Sequence, residues 1–485
     1  MKNKEKIYLF IIILTGIILI LLQLPKKQIL DGDELYSYTL SNSKIHGFII
    51  NNIEINKWTS QEELKKIFEL NNDEIFSITS IYKNQARDVH PPFYYLIFHI
   101  ISIIFLNKFS ILPGIILNII AYIILMIYLY KVSKEIIGKK ESYIPCILYT
   151  LSLGMLSTAM FIRMYMLLTT ICIIFTYLFI ELTKNMNKKN LIKLSICTYI
   201  GFMTHYFFLI YAFFISLIYI INLLLEKNKK NTIKYIKTMI TPIILGFITF
   251  PFALIHIFKG YRGEETHENL IKSNIITNFK TIYETLNKDI FYNIMPIILL
   301  IILLLIIYII KKKKALNNKK TLLTILLGTI LYFILTLKII PILSTRYFYP
   351  IYPVIALITY YIISKTINNK HIKILAIIFL ITLEISTQIK YDPSWTQKKN
   401  IIENSDTNII YIIKDDYTTI TDTQFLINYN QIYFTNEQFN DYKIIDKCDK
   451  EIIIKTDNIE IIEKILKNTK YKTYEQQNFG YKIKC

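Results

Sequence analysis

Residues 86–109 read ARDVHPPFYYLIFHIISIIFLNKF, and this stretch decides how the chain is arranged in a membrane. It begins with charged residues, becomes strongly apolar at Pro92 and stays apolar to Leu106, a run of about fifteen residues. A helix needs about 20 apolar residues to cross about 30 Å of hydrocarbon. The run is therefore either a short tilted span or a helix that lies at the membrane interface.

The composition places the whole chain in a membrane. Of its 485 residues, 53% are hydrophobic, and many apolar runs of about 20 residues alternate with short lysine-rich breaks. This pattern is typical of a polytopic helical membrane protein. The net charge of +20 would suit nucleic acid, but most lysines lie in the breaks, where positive charge sets membrane orientation. We therefore expect the membrane, and no nucleic acid, as a partner.

The lysine-rich breaks decide between the two arrangements of residues 92–106. Short cytoplasmic loops carry the excess of Lys and Arg, so we take the lysine-rich amino terminus as cytoplasmic. If residues 92–106 crossed, every later lysine-rich break would lie outside. If they do not cross, residues 25–109 stay outside and all later breaks are cytoplasmic. The sequence favours a juxtamembrane or re-entrant helix in this stretch.

These assignments predict the fold class: an all-α polytopic membrane protein of the cell membrane, with about 11 transmembrane helices and a small external α/β domain. The first span is expected to be an uncleaved anchor, because no small-residue cleavage site follows it. The predicted domains are residues 1–390, which include the external loop 25–109, and residues 391–485, whose carboxy terminus is external. The predicted span cores are 7–24, 111–130, 143–161, 164–181, 191–205, 207–225, 238–257, 291–310, 321–340, 347–364 and 372–388.

Arginine is rare and unevenly placed. Among 56 basic residues only Arg87, Arg163, Arg262 and Arg346 are arginines, and the predicted topology puts all four at the outer face. The guanidinium group binds phosphate or carboxylate through two parallel hydrogen bonds, which lysine cannot do. Arg87 and Arg262 are equally well explained as solvated charges. Arg163 and Arg346 lie at span ends in an apolar context, which favours a binding role.

An acidic cluster follows the first span, in DGDELYSYT at residues 31–39. Three carboxylates, from Asp31, Asp33 and Glu34, lie within four residues, and neighbouring negative charges favour a raised pKa and a role as a base. A solvated Asp-Gly turn is the alternative. A base together with phosphate-binding arginines matches sugar transfer from a lipid phosphate. Single displacement of this kind inverts the anomeric centre.

Five motifs occur in an order that resembles glycosyltransferase family 39. They are DGDELYSYT, DVHPPFYYLIFH at residues 88–99, FIRMYML at 161–167, THYFFLIY at 204–211 and TRYFYPIYP at 345–353. That family has the GT-C fold and includes protein O-mannosyltransferases and aminoarabinose transferases; the resemblance covers about residues 1–365.

The resemblance implies a role for each matching residue. Asp33 would be the catalytic base and Glu34 its partner. Arg346 would hold the donor phosphate. Further substrate or donor contacts would come from His90, Arg163, His205, Tyr206 and Tyr347. The implied partners are a polyprenyl-phosphate-linked sugar donor and a lipid, glycan or protein acceptor.

Other interpretations stay open at this point. A secondary transporter would place ionisable residues and Gly or Pro breaks at mid-membrane. A flippase or polymerase of lipid-linked glycans shares the lipid phosphate. No cofactor is certain, and a divalent metal stays open. Cys448 and Cys485 could form a disulfide in an oxidising compartment.

Overall fold

The computed structural model describes residues 3–44, 47–291, 293–296, 299–300, 303, 307, 319–390, 407–438, 442–446, 451–477 and 479–484. The chain forms two compact units, and each is built from separate stretches of sequence. The first contains Met1–Leu24, Gln85–Tyr94 and Gly114–Tyr391, and the second contains Pro25–Asn84, Tyr95–Pro113 and Asp392–Cys485. The cysteines Cys448 and Cys485 and the lysines 311–314 lie outside the described residues.

Helices make up most of the described structure. In chain order they are α1 (Asn3–Gln23), α2 (Gly32–Asn42), α3 (Gln61–Lys66), α4 (Ile78–Arg87), α5 (Phe93–Ser102), α6 (Leu112–Ile136), α7 (Ile144–Leu151), α8 (Leu153–Met160), α9 (Tyr165–Lys184), α10 (Lys188–Thr204) and α11 (Phe207–Leu225). They continue with α12 (Lys229–Thr249), α13 (Phe252–Phe258), α14 (Tyr261–Lys272), α15 (Ile275–Ile290), α16 (Lys319–Ile339), α17 (Tyr352–Thr366), α18 (Lys370–Lys390), α19 (Asp416–Leu426), α20 (Tyr442–Asp446) and α21 (Ile459–Asn468).

Eight helical segments in the described part of the chain are long and apolar enough to cross a membrane, and each overlaps a predicted span. They are Lys4–Lys26, Leu112–Ile136, Tyr165–Lys184, Phe207–Leu225, Lys229–Thr249, Lys320–Ile339, Thr345–Thr366 and Lys370–Ile389. The prediction of a polytopic helical membrane protein is confirmed.

The other three predicted spans differ in form. Residues 143–161 are divided between α7 and α8, because Ser152 has an extended backbone and its hydroxyl caps α8 by accepting from the N–H of Met155 at 3.1 Å. Residues 191–205 lie mostly in α10, a helix of 17 residues. Most of residues 291–310 lie outside the described ranges, so the count of eleven stays a prediction.

The predicted span 238–257 is wrong in its boundaries. The helix α12 begins earlier, at Lys229, and ends at Thr249. The backbone of Phe250 leaves the helical region, with φ −139° and ψ 75°, because the following Pro251 disfavours a helical residue before it. A separate short helix, α13, then starts at Phe252.

The apolar stretch 92–106 forms α5 and a 3-10 turn at Ile103–Phe105. Thirteen residues of helix at 1.5 Å each extend about 20 Å, which is short of the hydrocarbon thickness. The length agrees with a helix beside the membrane, and the location of this helix stays a prediction.

The second unit contains a six-stranded mixed sheet with the strand order β1-β3-β2-β4-β6-β5. The strands are β1 (Lys57–Ser60), β2 (Ile409–Ile412), β3 (Gln431–Thr435), β4 (Glu451–Lys455), β5 (Thr473–Gln477) and β6 (Gly480–Lys484). β2 runs parallel to β3 and β4, and the remaining pairs are antiparallel. β1 comes from the loop 25–109, so this loop and the carboxy-terminal segment share one sheet.

Isoleucines fill the core between the sheet and its helices. Ile410, Ile452 and Ile454 of the central strands are fully buried. They pack in one cluster with Ile462 and Ile465 of α21, whose spacing places both on one helix face. β-branched residues fit a pleated strand well, so the same residues supply strand propensity and core.

We predict that Gly480→Ala destabilises the second unit more than Gly138→Ala destabilises the first. Both glycines have positive φ, +102° and +111°, where a Cβ costs about 1–2 kcal/mol. At Gly480 the new Cβ would also lie 2.5 Å from the carbonyl oxygen of Ile454, whereas at Gly138 no atom lies within 4 Å. Thermal unfolding of the two purified variants measures the difference. Equal midpoints would contradict the close approach at the start of β6.

Candidate active site

The acidic cluster after the first span begins the helix α2. Asp31 is the residue before the helix, and its side chain accepts a hydrogen bond from the backbone N–H of Asp33 at 2.9 Å. The side chain of Glu34 accepts in return from the backbone N–H of Asp31 at 2.8 Å. This reciprocal capping box stabilises the helix start. Asp31 and Glu34 therefore have structural roles, and Asp33 is carried on the first turn, half-buried.

Glu34 also forms an ion pair inside the second unit. Its carboxylate lies 2.8 Å from the ammonium group of Lys27, and the two side chains are 2% and 1% exposed. Removing one partner of a buried pair leaves the other charge without compensation, which destabilises by about 3–5 kcal/mol. Glu34 thus contacts the chain before Asp33 through Lys27 and Asp31, and its role as partner of the base stays a prediction.

The carboxy-terminal segment contacts α2 and the residues just before it. The side-chain amide of Gln424 donates to the carbonyl of Leu30 at 2.8 Å and its oxygen accepts from the N–H of Leu30 at 2.9 Å. Asp416 accepts from the hydroxyl of Tyr36. A Cβ on Gly32 would lie 2.5 Å from Thr421 Oγ1, so only glycine permits this approach. Residues of the carboxy-terminal segment therefore position the turn that carries Asp33.

The other end of α2 is held by the apolar stretch that contains His99. His99 is 1% exposed, and its Nδ1 lies 3.0 Å from the carbonyl oxygen of Ser41. The side-chain amide of Asn84 donates to the carbonyls of Leu40 and Ser43 at 3.3 and 2.9 Å. A histidine in the middle of an apolar helix is explained here as a partner for a carbonyl at the end of α2.

In the first unit, the predicted binding residues lie in short links between helices. His90 precedes α5, Arg163 lies between α8 and α9, and His205 lies between α10 and α11. Arg346 and Tyr347 belong to a 3-10 helix, Thr345–Ile351, that leads into α17. These links bring together five residues that are separated by up to about 260 positions in the sequence.

Aromatic rings connect these links. The ring of His205 lies 5.4 Å from that of His90 and 5.6 Å from that of Tyr165. The guanidinium of Arg346 lies 5.5 Å from the ring of Tyr347 and 5.9 Å from that of Tyr165. Phe161 provides a third ring at 5.7 Å from Arg346. Cation–π attraction of this kind holds a guanidinium group in place without neutralising its charge.

Asp88 is a member of this cluster that the sequence interpretation did not single out. Its carboxylate lies 2.8 Å from Nδ1 of His90, and the side chain is 9% exposed. Burial alone would raise the pKa of Asp88, but the charge and hydrogen bond of His90 and the guanidinium of Arg163 hold it below its usual range. A carboxylate can only accept, so Nδ1 of His90 carries the proton. Asp88 thereby orients the His90 ring.

Tyr206 is oriented toward His256. Its hydroxyl lies 2.9 Å from Nδ1 of His256, whose Nε2 lies 3.3 Å from the carbonyl oxygen of Ala86. The carbonyl can only accept, so Nε2 carries the proton and Nδ1 accepts from Tyr206. This chain of contacts ties α13 to the segment that carries Asp88 and His90.

Asp289, at the end of α15, lies beside the 3-10 helix that carries Arg346. Asp289 is 1% exposed, and its Oδ2 accepts from the hydroxyl of Tyr352 at 3.1 Å. The Tyr352 ring lies 5.4 Å from that of Tyr349, which in turn lies 6.1 Å from Tyr165. Burial raises the pKa of Asp289 to about 7. Through its hydrogen bond to Tyr352, the buried carboxyl group thus supports the aromatic packing around Arg346.

A metal centre is not formed by the described residues, since no group of three or more His, Cys, Asp or Glu side chains is placed to hold an ion. The arrangement in the first unit combines two guanidinium groups and two imidazoles with one carboxylate. Its chemistry is that of an anion-binding site lined by aromatic rings. Its signals in the sequence are arginine and histidine at span ends.

Two comparisons with known proteins match this description. The family model described as dolichyl-phosphate-mannose-protein mannosyltransferase matches residues 89–254, about a third of the chain. A crystal structure of ArnT from Cupriavidus metallidurans bound to undecaprenyl phosphate is similar with a TM-score of 0.50 and 7% identity, covering 99% of this chain and 98% of that one. The apo structure of the same protein gives a TM-score of 0.49 at 9% identity, with coverage of 99% and 98%. A comparison with curated proteins finds no match.

The expected GT-C fold is confirmed by these findings, and they support a membrane glycosyltransferase. The matched range 89–254 includes His90, Arg163, His205 and Tyr206. Asp33, Glu34, Arg346 and Tyr347 lie outside it, so the roles of all eight residues stay proposals.

We predict that Asp88→Asn lowers the stability of the first unit. The amide cannot balance the charges of His90 and Arg163, and breaking a largely buried pair costs about 3 kcal/mol. Because the pKa of Asp88 is lower in the folded protein than its ordinary value of 3.8, this group stabilises the fold at every pH above 3.8. The stabilisation is lost as the pH falls through the lowered pKa. Thermal unfolding at pH 7 measures the loss. Asp73→Asn, whose side chain is 71% exposed, is the control and should leave the midpoint unchanged.

We predict that the stability of Asp289→Asn, relative to that of the wild type, increases as the pH rises. The folded pKa of about 7 exceeds the ordinary 3.8, so stability from this group is complete below pH 3.8 and is lost as the pH rises through 7. Asparagine stays neutral and its oxygen can still accept from Tyr352. Unfolding midpoints of variant and wild type at pH 5 and pH 8 test this. If the difference between the two midpoints is the same at pH 5 and at pH 8, the pKa of Asp289 does not lie in this range.

Proposed function

We propose that the protein is an inverting membrane glycosyltransferase that moves a sugar from a polyprenyl-phosphate-linked donor to an acceptor at the outer face of the membrane. The observation that carries the proposal is the anion-binding cluster of Arg163, Arg346, His90 and His205 within a GT-C fold. Asp33 is the proposed base. The catalytic residues are inferred from their chemistry and from the family resemblance.

The cluster has the properties that a phosphate group requires. Arg163 is 3% exposed and Arg346 is half-buried, and both lie within electrostatic reach of His205. A guanidinium group in such surroundings attracts phosphate strongly, because the competing water is largely excluded. Asp88 balances part of the charge of His90 and Arg163. The site is therefore suited to bind a phosphate and to release it as a leaving group.

The aromatic rings around Arg346 suit the rest of the donor. Tyr165, Tyr347 and Phe207 form a continuous set, with Phe207 and Tyr347 at 4.9 Å between centroids. Aromatic faces pack against the apolar C–H faces of a sugar or against a polyprenyl chain. The similar ArnT structure holds undecaprenyl phosphate, which belongs to the class of lipid that remains after transfer.

The reaction needs one base and one phosphate-binding cation. Asp33 takes the proton of the acceptor hydroxyl, and the resulting oxygen attacks the anomeric carbon. The bond from that carbon to the phosphate oxygen breaks, and its electron pair leaves with polyprenyl phosphate, whose charge Arg346 stabilises. Attack opposite the leaving group inverts the anomeric centre. Glu34, paired with Lys27, keeps the turn around Asp33 in place.

The outer loop after α13 supports a lipid or glycan acceptor over a protein. Residues 261–290 form the two helices α14 and α15, which leave no room in this loop for an inserted acceptor-binding domain. Protein O-mannosyltransferases, in the family that the sequence resembles, carry inserted domains in a later loop. The sugar itself is left unassigned by these features.

We predict opposite defects for two substitutions assayed with a polyprenyl-phosphate sugar. Asp33→Asn keeps the shape but removes the base, so turnover should fall about 100-fold or more while donor binding is retained. Arg346→Lys keeps the charge but loses the planar fork, so donor binding should weaken. For each purified variant, the affinity for the polyprenyl-phosphate sugar and the turnover rate are measured separately.

The matched controls are Asp31→Asn and Arg262→Lys. Asp31 is the exposed cap of α2, and Arg262 pairs with Glu265 at 2.7 Å within α14. Both controls should keep turnover within a few-fold of wild type. Full activity in Asp33→Asn would remove the carboxylate-base mechanism, and unchanged donor binding in Arg346→Lys would remove the assigned phosphate site.

A further inference from the structure

A cavity in the first unit lies away from the anion-binding cluster. It has a volume of about 270 Å³ and is lined by Glu5, Tyr8, Tyr130, Lys139, Lys140 and Tyr143. The distance between the cavity and the cluster can be read along α6, which contributes a residue near each of them. Asn118 of α6 donates to the carbonyls of Ala159 and Phe161, whereas Tyr130 lies twelve residues further along, about 18 Å at 1.5 Å per residue.

The polar lining of this cavity carries more positive than negative charge. Lys139 and Lys140 face a single carboxylate, Glu5, which lies 3.1 Å from the ammonium group of Lys139. The hydroxyl of Tyr130 donates to the same carboxylate at 3.1 Å, and Lys134 lies within its electrostatic reach. Glu5 is thus compensated within the protein. The additional lysines leave a net attraction for an anion.

Tyrosines provide the rest of the lining. The rings of Tyr8 and Tyr143 lie 5.7 Å apart, and Tyr130 is 3% exposed. A phenol presents an apolar ring and a hydroxyl that donates hydrogen bonds, which suits the boundary between headgroups and acyl chains. The hydroxyl of Tyr130 is used by Glu5, but the phenols of Tyr8 and Tyr143 and the two ammonium groups can together satisfy several oxygens of one phosphate.

An apolar surface on α1 begins at the cavity. Ile7, Phe10, Ile11 and Leu14 are exposed by 54%, 65%, 51% and 43%, and they recur at the helical spacing of one face. The stripe continues through Ile18, Leu21 and Leu22. Tyr8 of the same helix lines the cavity, so a phosphate held there would place an attached acyl chain along this stripe. A soluble anion would make no use of that surface.

We infer that this cavity is a binding site for the phosphodiester headgroup of an anionic phospholipid, whose acyl chains lie along α1. The site is distinct from the proposed donor site and does not depend on the glycosyltransferase assignment. A zwitterionic headgroup fits less well, because its ammonium group would meet Lys139 and Lys140 and because Glu5 already accepts from two donors. Bound at this place, the lipid would fix α1 against α6 and α7.

The test is native mass spectrometry of the full chain in detergent, titrated with phosphatidylglycerol. The double variant Lys139→Gln/Lys140→Gln should bind this lipid about 10-fold more weakly, the loss expected for charge-assisted hydrogen bonds. The matched control is Lys188→Gln/Lys189→Gln, an exposed lysine pair at the start of α10 outside the cavity. It should bind like the wild type. Equal losses in both double variants would overturn the site in favour of general electrostatic attraction.

Two further experiments identify the type of ligand and separate a loss of binding from a loss of folding. Phosphatidylcholine and inorganic phosphate are titrated separately, and binding of either one as tight as that of phosphatidylglycerol would overturn an anionic lipid site. Lys140→Gln alone leaves the Glu5–Lys139 pair intact and should keep the unfolding midpoint while reducing lipid binding several-fold. Undiminished binding in that folded variant would also refute the proposal.

Discussion

Charged groups are expensive in hydrocarbon, and this constraint arranges the first unit. Its long apolar helices leave only the short links between them for ionisable side chains that must act together. His90, Arg163, His205 and Arg346 all lie in such links or beside them. Because the links at one end of several helices lie close together, residues that are remote in sequence become neighbours. The anion-binding cluster is a direct consequence of how the helices are connected.

Buried carboxylates then hold this cluster in order. Asp88 fixes the His90 ring and balances Arg163, whereas Asp289 supports Tyr352 and through it the 3-10 helix that carries Arg346. The two groups differ in environment. Nearby positive charges keep Asp88 ionised, while burial outweighs the hydrogen bond from Tyr352 and the charge of Lys288 and raises the pKa of Asp289 to about 7. One contributes charge to the site and the other mainly shape.

In the second unit, the polar contacts described above serve mainly to position one short helix. Its helices hold the short helix α2, and the residues that do so come from distant parts of the chain. Gln424 and Asp416 bind the start of this helix, and His99 and Asn84 bind its end. The carboxy-terminal segment is therefore a structural support for the turn with Asp33.

The sequence by itself determined the membrane class and the approximate positions of eight spans, and it pointed to the arginines and histidines of the candidate site, because hydrophobic length and the placement of lysine and arginine are local properties of the chain. The motifs DGDELYSYT and DVHPPFYYLIFH, together with the less specific ones around Arg163, His205 and Arg346, also indicated the fold. Only the tertiary structure decided that Asp88 pairs with His90 and Asp289 with Tyr352. Only it showed that β1 joins the carboxy-terminal sheet and that Glu34 is neutralised by Lys27. Asp289 and Tyr352, like β1 and β3, come from elements that are distant in the sequence. Asp88 and His90, like Lys27 and Glu34, are close in the sequence, and their pairing depends on burial and on the conformation of the link between them. A pattern along the chain carries no information about which distant group will compensate a charge.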